Sequence, residues 1–421
     1  MFKRIWKSEL GRGALILFIT INLFSLLNFV FHFFMGRLLG PADYGVLVVL
    51  TSFIYIFSIP SEAIQNIIVR YTARMNLEKE NGKIKYLLVH GLKKALNISV
   101  LLFIIAIPLS FFLSKILQIN IWLILITNIL IFSSFSLPIV RGVLQGRKQF
   151  GLFGTSLVAE GIVKLGAAIL FVYIGMGVFG ALYGIVLGAF GGFLLSTGFN
   201  YNIIKEKTVN ENFKNFKLQS IPYFLAMLVI FLVFSLDILF AKLFFNPIQV
   251  GEYAAVSMLG KIIFFGSSAI GKAMFPLTSE RYEKGKNSFI LFKKSFLIVS
   301  IICCFVILVY ILFPKSVILT LYGSQYLNIS NLLFYSGISL GFLSLTSLTL
   351  TYSLSTDSLK KAHFLFVFVL LEILLFSLFH KSLLEYTLAF MFSNIIMFIG
   401  SLFLVKYSKN EFKSNDYNTS I

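Results

Sequence analysis

Apolar runs long enough to cross a bilayer recur from one end of this 421-residue chain to the other, and nothing else in it constrains the fold as strongly. A spanning helix needs roughly 20 mostly apolar residues, because hydrocarbon offers backbone amides no partner outside their own segment. Reading these runs between charges and turn residues places spans at 14–35, 45–68, 95–113, 121–140, 152–173 and 178–201. A second set follows at 218–241, 252–275, 295–314, 329–352, 363–380 and 383–405. Only 13% of residues are charged against 58% hydrophobic, which excludes a water-soluble surface. The first run follows a basic start (Lys3, Arg4, Lys7, Arg12) but exceeds a signal-peptide core, so it reads as a retained span. The expectation is an all-α integral membrane protein of about twelve transmembrane helices.

Lysine and arginine orient the bundle, since basic loops stay in the cytoplasm. Of 36 basic residues, 28 fall on the side of the termini and three inside spans (Lys164, Lys261, Lys272). The opposite side holds five: Arg37, Lys115, Lys242, Lys315 and Lys381. Both termini are therefore expected in the cytoplasm, in a multi-pass protein of the cell (inner) membrane. The net charge of +19 forms a belt against anionic headgroups and needs no nucleic acid to explain it. Cys303 and Cys304 are adjacent, which suits neither a metal site nor an unstrained disulfide. No ATP-binding loop, zinc-protease helix or nucleophile elbow occurs, so the reading is a transporter without a cofactor.

The stretch RLLGPADYG is partly echoed half a chain later. Pro41 and Gly45 match Pro247 and Gly251 at a shift of 206 residues, and Pro108 matches Pro314 at the same shift. Six spans per copy is an even number, so the copies run parallel, an arrangement in which the substrate path commonly lies between the halves. The predicted units are 1–210 and 211–421, two six-helix bundles around a central cavity, with Pro and Gly building the outer turn after each first helix. Gly180, Gly184, Gly188 and Gly192 line one face of the sixth span for close packing.

Charged groups inside spans are costly and usually face a bundle interior or a wet cavity. Glu160 and Lys164 lie four apart and read either as a mutually neutralising pair or as cavity residues. Lys261 and Lys272 are eleven apart, which returns them to nearly one face about 16 Å along the helix as a positive stripe. Lys261 is the deeper, so Lys261→Ala is expected to lower transport while sparing the fold. Arg70 marks the inner end of the second span. Asp237 and Glu372 have no basic partner at helical spacing, so each is either protonated or paired across helices. Glu62 and Gln65 form a small polar patch. The acids Asp237, Glu160, Glu372 and Glu62 read as an ion-coupling set or as interhelical glue.

On RLLGPADYG (37–45), on Asp237 followed by VGEYAAVSMLGK (250–261), and on FPLTSERYEKGK (275–286), the chain resembles the oligosaccharide-lipid flippases of the multidrug/oligosaccharidyl-lipid/polysaccharide exporter superfamily. That resemblance implies a substrate of polyprenyl-diphosphate-linked glycan, turned from the inner to the outer leaflet by alternating access for cell-surface polysaccharide synthesis. Cationic cavities in the family suit a diphosphate, which makes Lys261, Lys164, Arg70 and Lys272 the expected substrate contacts. Coupling is expected from a proton or sodium gradient or from the membrane potential. Membrane lipids and glycan-assembly enzymes are the expected partners. The rival readings are an ion-coupled multidrug exporter of the same superfamily, a membrane glycan polymerase or ligase, and a non-transporting scaffold for glycan-assembly enzymes.

Overall fold

The computed structural model describes residues 9–211, 221–356 and 362–418. Of the basic residues that orient the chain, Lys3, Arg4, Lys7, Lys214, Lys217, Lys360 and Lys361 lie outside the described residues. The chain divides into two compact units, Met1–Leu218 and Gln219–Ile421.

The first unit opens with α1, Glu9–Leu77, whose 69 residues would reach about 100 Å if straight, far beyond a hydrocarbon core of roughly 30 Å. It does not run straight. Gly40 leaves helical geometry at φ 73°, ψ 172°, and the limbs on either side double back. The hydroxyl of Tyr44 lies 3.4 Å from His32 Nδ1, although twelve residues of straight helix would separate them by about 18 Å. Pro41 then starts the second limb, where its missing N–H costs nothing. The turn glycine is thus Gly40. Gly45 and its echo Gly251 are buried inside helices, which corrects their expected role as turn residues.

After α1 come α2 (Asn81–Leu117), α3 (Ile121–Gly146), α4 (Phe150–Phe171) and α5 (Gly177–Phe199). A π-helical turn at Val172–Met176, with φ 93° at Gly175, reverses the chain between α4 and α5. The four glycines of α5 meet α4 in antiparallel register. A Cβ added at Gly180 would stand 2.8 Å from the Phe171 carbonyl carbon, at Gly184 2.6 Å from Ala168 N, and at Gly188 2.8 Å from Glu160 O. Small residues at four-residue spacing let two backbones touch in a medium where hydrophobic exclusion gives no drive to pack.

The second unit contains α6 (Ile221–Phe244), α7 (Pro247–Glu283), α8 (Phe289–Leu312), α9 (Pro314–Leu321), α10 (Leu333–Ser355), α11 (Phe366–Leu378) and α12 (Leu383–Asn418). Asn246 caps α7 through a reciprocal box with Gln249, and Pro247 begins the helix, as Pro41 does in the first unit. Pro314 likewise starts the short α9, whereas Pro108 sits inside α2, so the third repeat match is one of sequence alone.

Among the described residues nine apolar helical stretches are long enough to cross a membrane. Two of them, Leu15–Leu77 and Phe150–Phe199, double back and make two crossings each, and the shorter His363–Leu378 completes twelve. The fold is the expected all-α membrane architecture.

Candidate functional site

The buried charges gather into one cluster per unit. In the first unit, Arg141 on α3 forms an ion pair of 2.6 Å with Glu160 on α4, and its Nε and Nη2 donate to Ser156 Oγ and Ser156 O, each at 3.1 Å. Gly192 of α5 leaves room for this pair, since a Cβ there would fall 2.9 Å from Arg141 Nη2 and 3.0 Å from Glu160 Oε2. Glu160 therefore pairs with Arg141 and not with Lys164 one turn along its own helix. Arg141 falls just past the expected fourth span, 121–140, but the helix runs on to Gly146 and buries it.

Lys164 turns to the first limb of α1. Its ammonium donates to Asn28 Oδ1 and stands 4.4 Å from the centre of the Phe31 ring. Both partners are neutral, and Lys164 is only half-buried. With Arg141 and Lys164 against Glu160, this cluster carries one positive charge in excess. Gln65, on the second limb of α1, donates to Gln145 Oε1 at 2.8 Å and adds a polar link between α1 and α3. Glu62 lies a turn before it, half-buried, and Arg70 is exposed further along the same limb.

In the second unit, Asp237 on α6 and Lys261 on α7 form an ion pair of 3.2 Å, at 0% and 1% side-chain exposure. Ser257, one turn before Lys261, donates to Asp237 Oδ2 at 2.5 Å, and the Tyr386 hydroxyl of α12 donates to the Asp237 carbonyl at 2.5 Å. The Lys261 ammonium also faces the Phe234 ring at 4.6 Å. Aromatic rings close the site: Tyr253 meets Tyr386 edge-on at 5.1 Å, and Phe376 stacks on Tyr386 at 4.4 Å. Glu372 on α11 is fully buried within electrostatic reach of both Asp237 and Lys261, and among the described residues neither of its oxygens has a hydrogen-bond partner.

Two expectations change on this geometry. Lys261 is neutralised by Asp237 in a dry setting, and removing one partner of such a pair typically costs 3–5 kcal/mol, so Lys261→Ala would injure the fold it was expected to spare. The positive stripe also dissolves, because Lys261 is buried while Lys272, eleven residues on, is exposed. Of the residues singled out in the sequence, Asp237, Lys261 and Glu372 come together, and Glu160 and Lys164 share a helix but engage different partners. Sequence reading missed Arg141, Asn28, Phe31, Ser257 and Tyr386. Ser257 alone had a local signal, its spacing of four from Lys261 on α7; the others meet their partners across helices.

The chain matches the family described as polysaccharide biosynthesis protein over residues 10–282, well over half its length. It belongs to that family. Beyond it, no curated protein sequence matches. Among solved structures, an inward-facing multidrug resistance MATE family transporter of the MOP superfamily superposes with TM-score 0.73 at 16% identity, covering 94% of this chain and 99% of the other. The inward closed conformation of the lipid II flippase MurJ gives TM-score 0.70 at 15% identity, covering 93% and 87%. An outward-facing MATE transporter gives 0.64 at 15% identity, covering 98% of each chain. At such identities the likeness establishes the fold, so this polysaccharide biosynthesis family member has the fold of the MOP-superfamily transporters.

Proposed function

We propose that this chain moves a polyprenyl-diphosphate-linked oligosaccharide from the inner to the outer leaflet, alternately exposing it to the two membrane faces. The observation that carries the reading is a polysaccharide-biosynthesis family member built on a fold shared with a lipid II flippase. The chemistry is consistent with it. A diphosphate cannot enter hydrocarbon without charge compensation, and the excess positive charge of the Arg141–Glu160–Lys164 cluster offers it. Lys164 is the group we assign to the diphosphate, because among the described residues its direct contacts, Asn28 and the Phe31 ring, are neutral, the Glu160 within its electrostatic reach is already paired with Arg141, and it is half-buried, whereas Lys261 is neutralised by Asp237. Arg70 and Lys272, exposed on α1 and α7, suit the headgroup region where such a lipid would be collected. Asp237 and Glu372, with Lys261, form the group we assign to ion coupling.

A multidrug exporter would need an accessible acidic, aromatic site for cations. The acidic and aromatic cluster of the second unit is dry and its aspartate is matched by a lysine, which weighs against that reading.

Vesicles reconstituted with the purified protein and a fluorescent polyprenyl-diphosphate sugar test the proposal by the fraction of label reaching the far leaflet, with and without an ion gradient. Wild type is expected to exceed protein-free vesicles several-fold. Lys164→Gln should cut the rate about tenfold, the loss expected when a charge-assisted contact worth roughly 1.5 kcal/mol is removed, with an unchanged melting temperature. Lys164→Arg should recover most of the rate. Transport no faster than in protein-free vesicles would overturn the reading.

A further inference from the structure

The cluster of the second unit contains two carboxyls and one ammonium, and it is sealed from solvent. Asp237 uses both oxygens, one on Lys261 and one on Ser257. Glu372, at 0% exposure, uses neither among the described residues. The Tyr253 hydroxyl is buried beside them and interacts with Asp237. A carboxylate left ionised and unbonded in such a place would suffer a desolvation penalty of several kcal/mol with nothing to offset it. A cation drawn in to neutralise it would stand beside the Lys261 ammonium, where like charges in a low-dielectric interior repel strongly.

Building on the ion-coupling role proposed for this cluster, we propose that Glu372 is its proton-binding residue and Lys261 its resident cation, so that the second unit exchanges protons and not sodium. The Lys261 ammonium has three N–H donors, of which Asp237 takes one, and the Phe234 ring covers another side of the group. In the transport state that opens this closed site to water, Glu372 releases its proton to that water, the new carboxylate draws one of those N–H groups, and Asp237 keeps the Ser257 hydroxyl. When a proton returns to a Glu372 oxygen, the ammonium goes back to Asp237. One proton thereby shifts a lysine on α7 between carboxyls on α6 and α11. The titratable groups around Glu372 are Asp237 on α6, Lys261 and Tyr253 on α7, and Tyr386 on α12. His363, in the turn before α11, is exposed, and His380 stands eight residues beyond Glu372.

The test uses the purified full-length protein in lipid nanodiscs. Infrared spectra at neutral pH should contain a carbonyl band of a protonated carboxylic acid that vanishes in Glu372→Gln, an isosteric change that keeps the fold. The wild-type melting temperature should be the same in sodium chloride as in choline chloride at equal ionic strength. Lys261→Met with Glu372 intact should lose stability that sodium chloride restores and choline chloride does not, because the resident cation is gone. A neutral-pH spectrum without a Glu372-dependent acid band, or a wild-type protein stabilised by sodium, would overturn the proposal. Neither measurement reads transport, so a chain that moved no lipid-linked glycan would leave the proton site standing, and a working flippase with an ionised Glu372 would sink the proton site alone.

Discussion

Ser61 shows how a single hydroxyl repairs a helix inside a membrane. Pro138 in α3 has no backbone N–H, so the carbonyl of Ser134, four residues earlier, loses its helical donor. In hydrocarbon that carbonyl would stay unpaired. The Ser61 hydroxyl from the second limb of α1 fills the gap, donating to Ser134 O at 2.5 Å. Ser61→Ala should therefore lower stability by roughly 1–3 kcal/mol, the cost of orphaning a buried acceptor, measured as the shift in melting temperature in detergent. Ser58 is the control. Its hydroxyl returns to the carbonyl of Tyr55, one turn back on its own helix, so Ser58→Ala should change little. Equal shifts in the two variants would show that the bond across to α3 carries no special weight. The same logic of partners on other helices separates Arg141 from Lys164: one is bound to an acid, the other to an amide and a ring, and only the second is left with charge to offer.

At the scale of elements, the hairpins depend on glycines whose task is conformational. Gly175 holds φ 93° in the turn between α4 and α5, and nothing lies within 4 Å of where its Cβ would be. Gly175→Ala is therefore strained with no clash to blame, and should cost about 1–2 kcal/mol. Gly166, inside α4, is equally open but helical, so Gly166→Ala should be neutral or stabilising by up to about 1 kcal/mol on helix propensity. Thermal unfolding of the pair checks the contrast; a loss in both would mean that open space, not backbone angle, had been misjudged. These elements also mark what the sequence made legible. Span number and the glycine face of α5 follow from periodicity within one segment, and both were readable without coordinates. The turn residue was read five residues too late, at Gly45 instead of Gly40, because the Pro41 that starts the next limb sits between them. The partners of Glu160, Lys164, Asp237 and Lys261 belong to other helices, and no local spacing encodes which helix lies alongside. Glu372 was legible as a buried acid in need of a partner. That Lys261 and Asp237 lie within its electrostatic reach, while no hydrogen bond reaches its oxygens among the described residues, was visible only once its surroundings were.

At the scale of the whole molecule, direction of transport depends on which face of the membrane each loop occupies. Twelve crossings put every second connection on the same side, and the basic residues crowd one set of connections. Loops rich in lysine and arginine resist translocation, so the connection between α7 and α8, with Lys284 and Lys286 and with Arg281 in the last turn of α7, should face the cytoplasm. Lys315, at the start of α9, should then face outward. Both Lys286 and Lys315 are exposed, which makes each a fair site for a single reporter cysteine once Cys303 and Cys304 are replaced by serine. In spheroplasts a membrane-impermeant maleimide should label Lys315→Cys fully and Lys286→Cys only after permeabilisation. Swapped labelling would reverse the molecule in the membrane, and with it the leaflet from which Lys164 could receive a diphosphate. Equal labelling of both in sealed spheroplasts would break the even count of crossings between them, and the twelve-helix topology would have to be redrawn at α8.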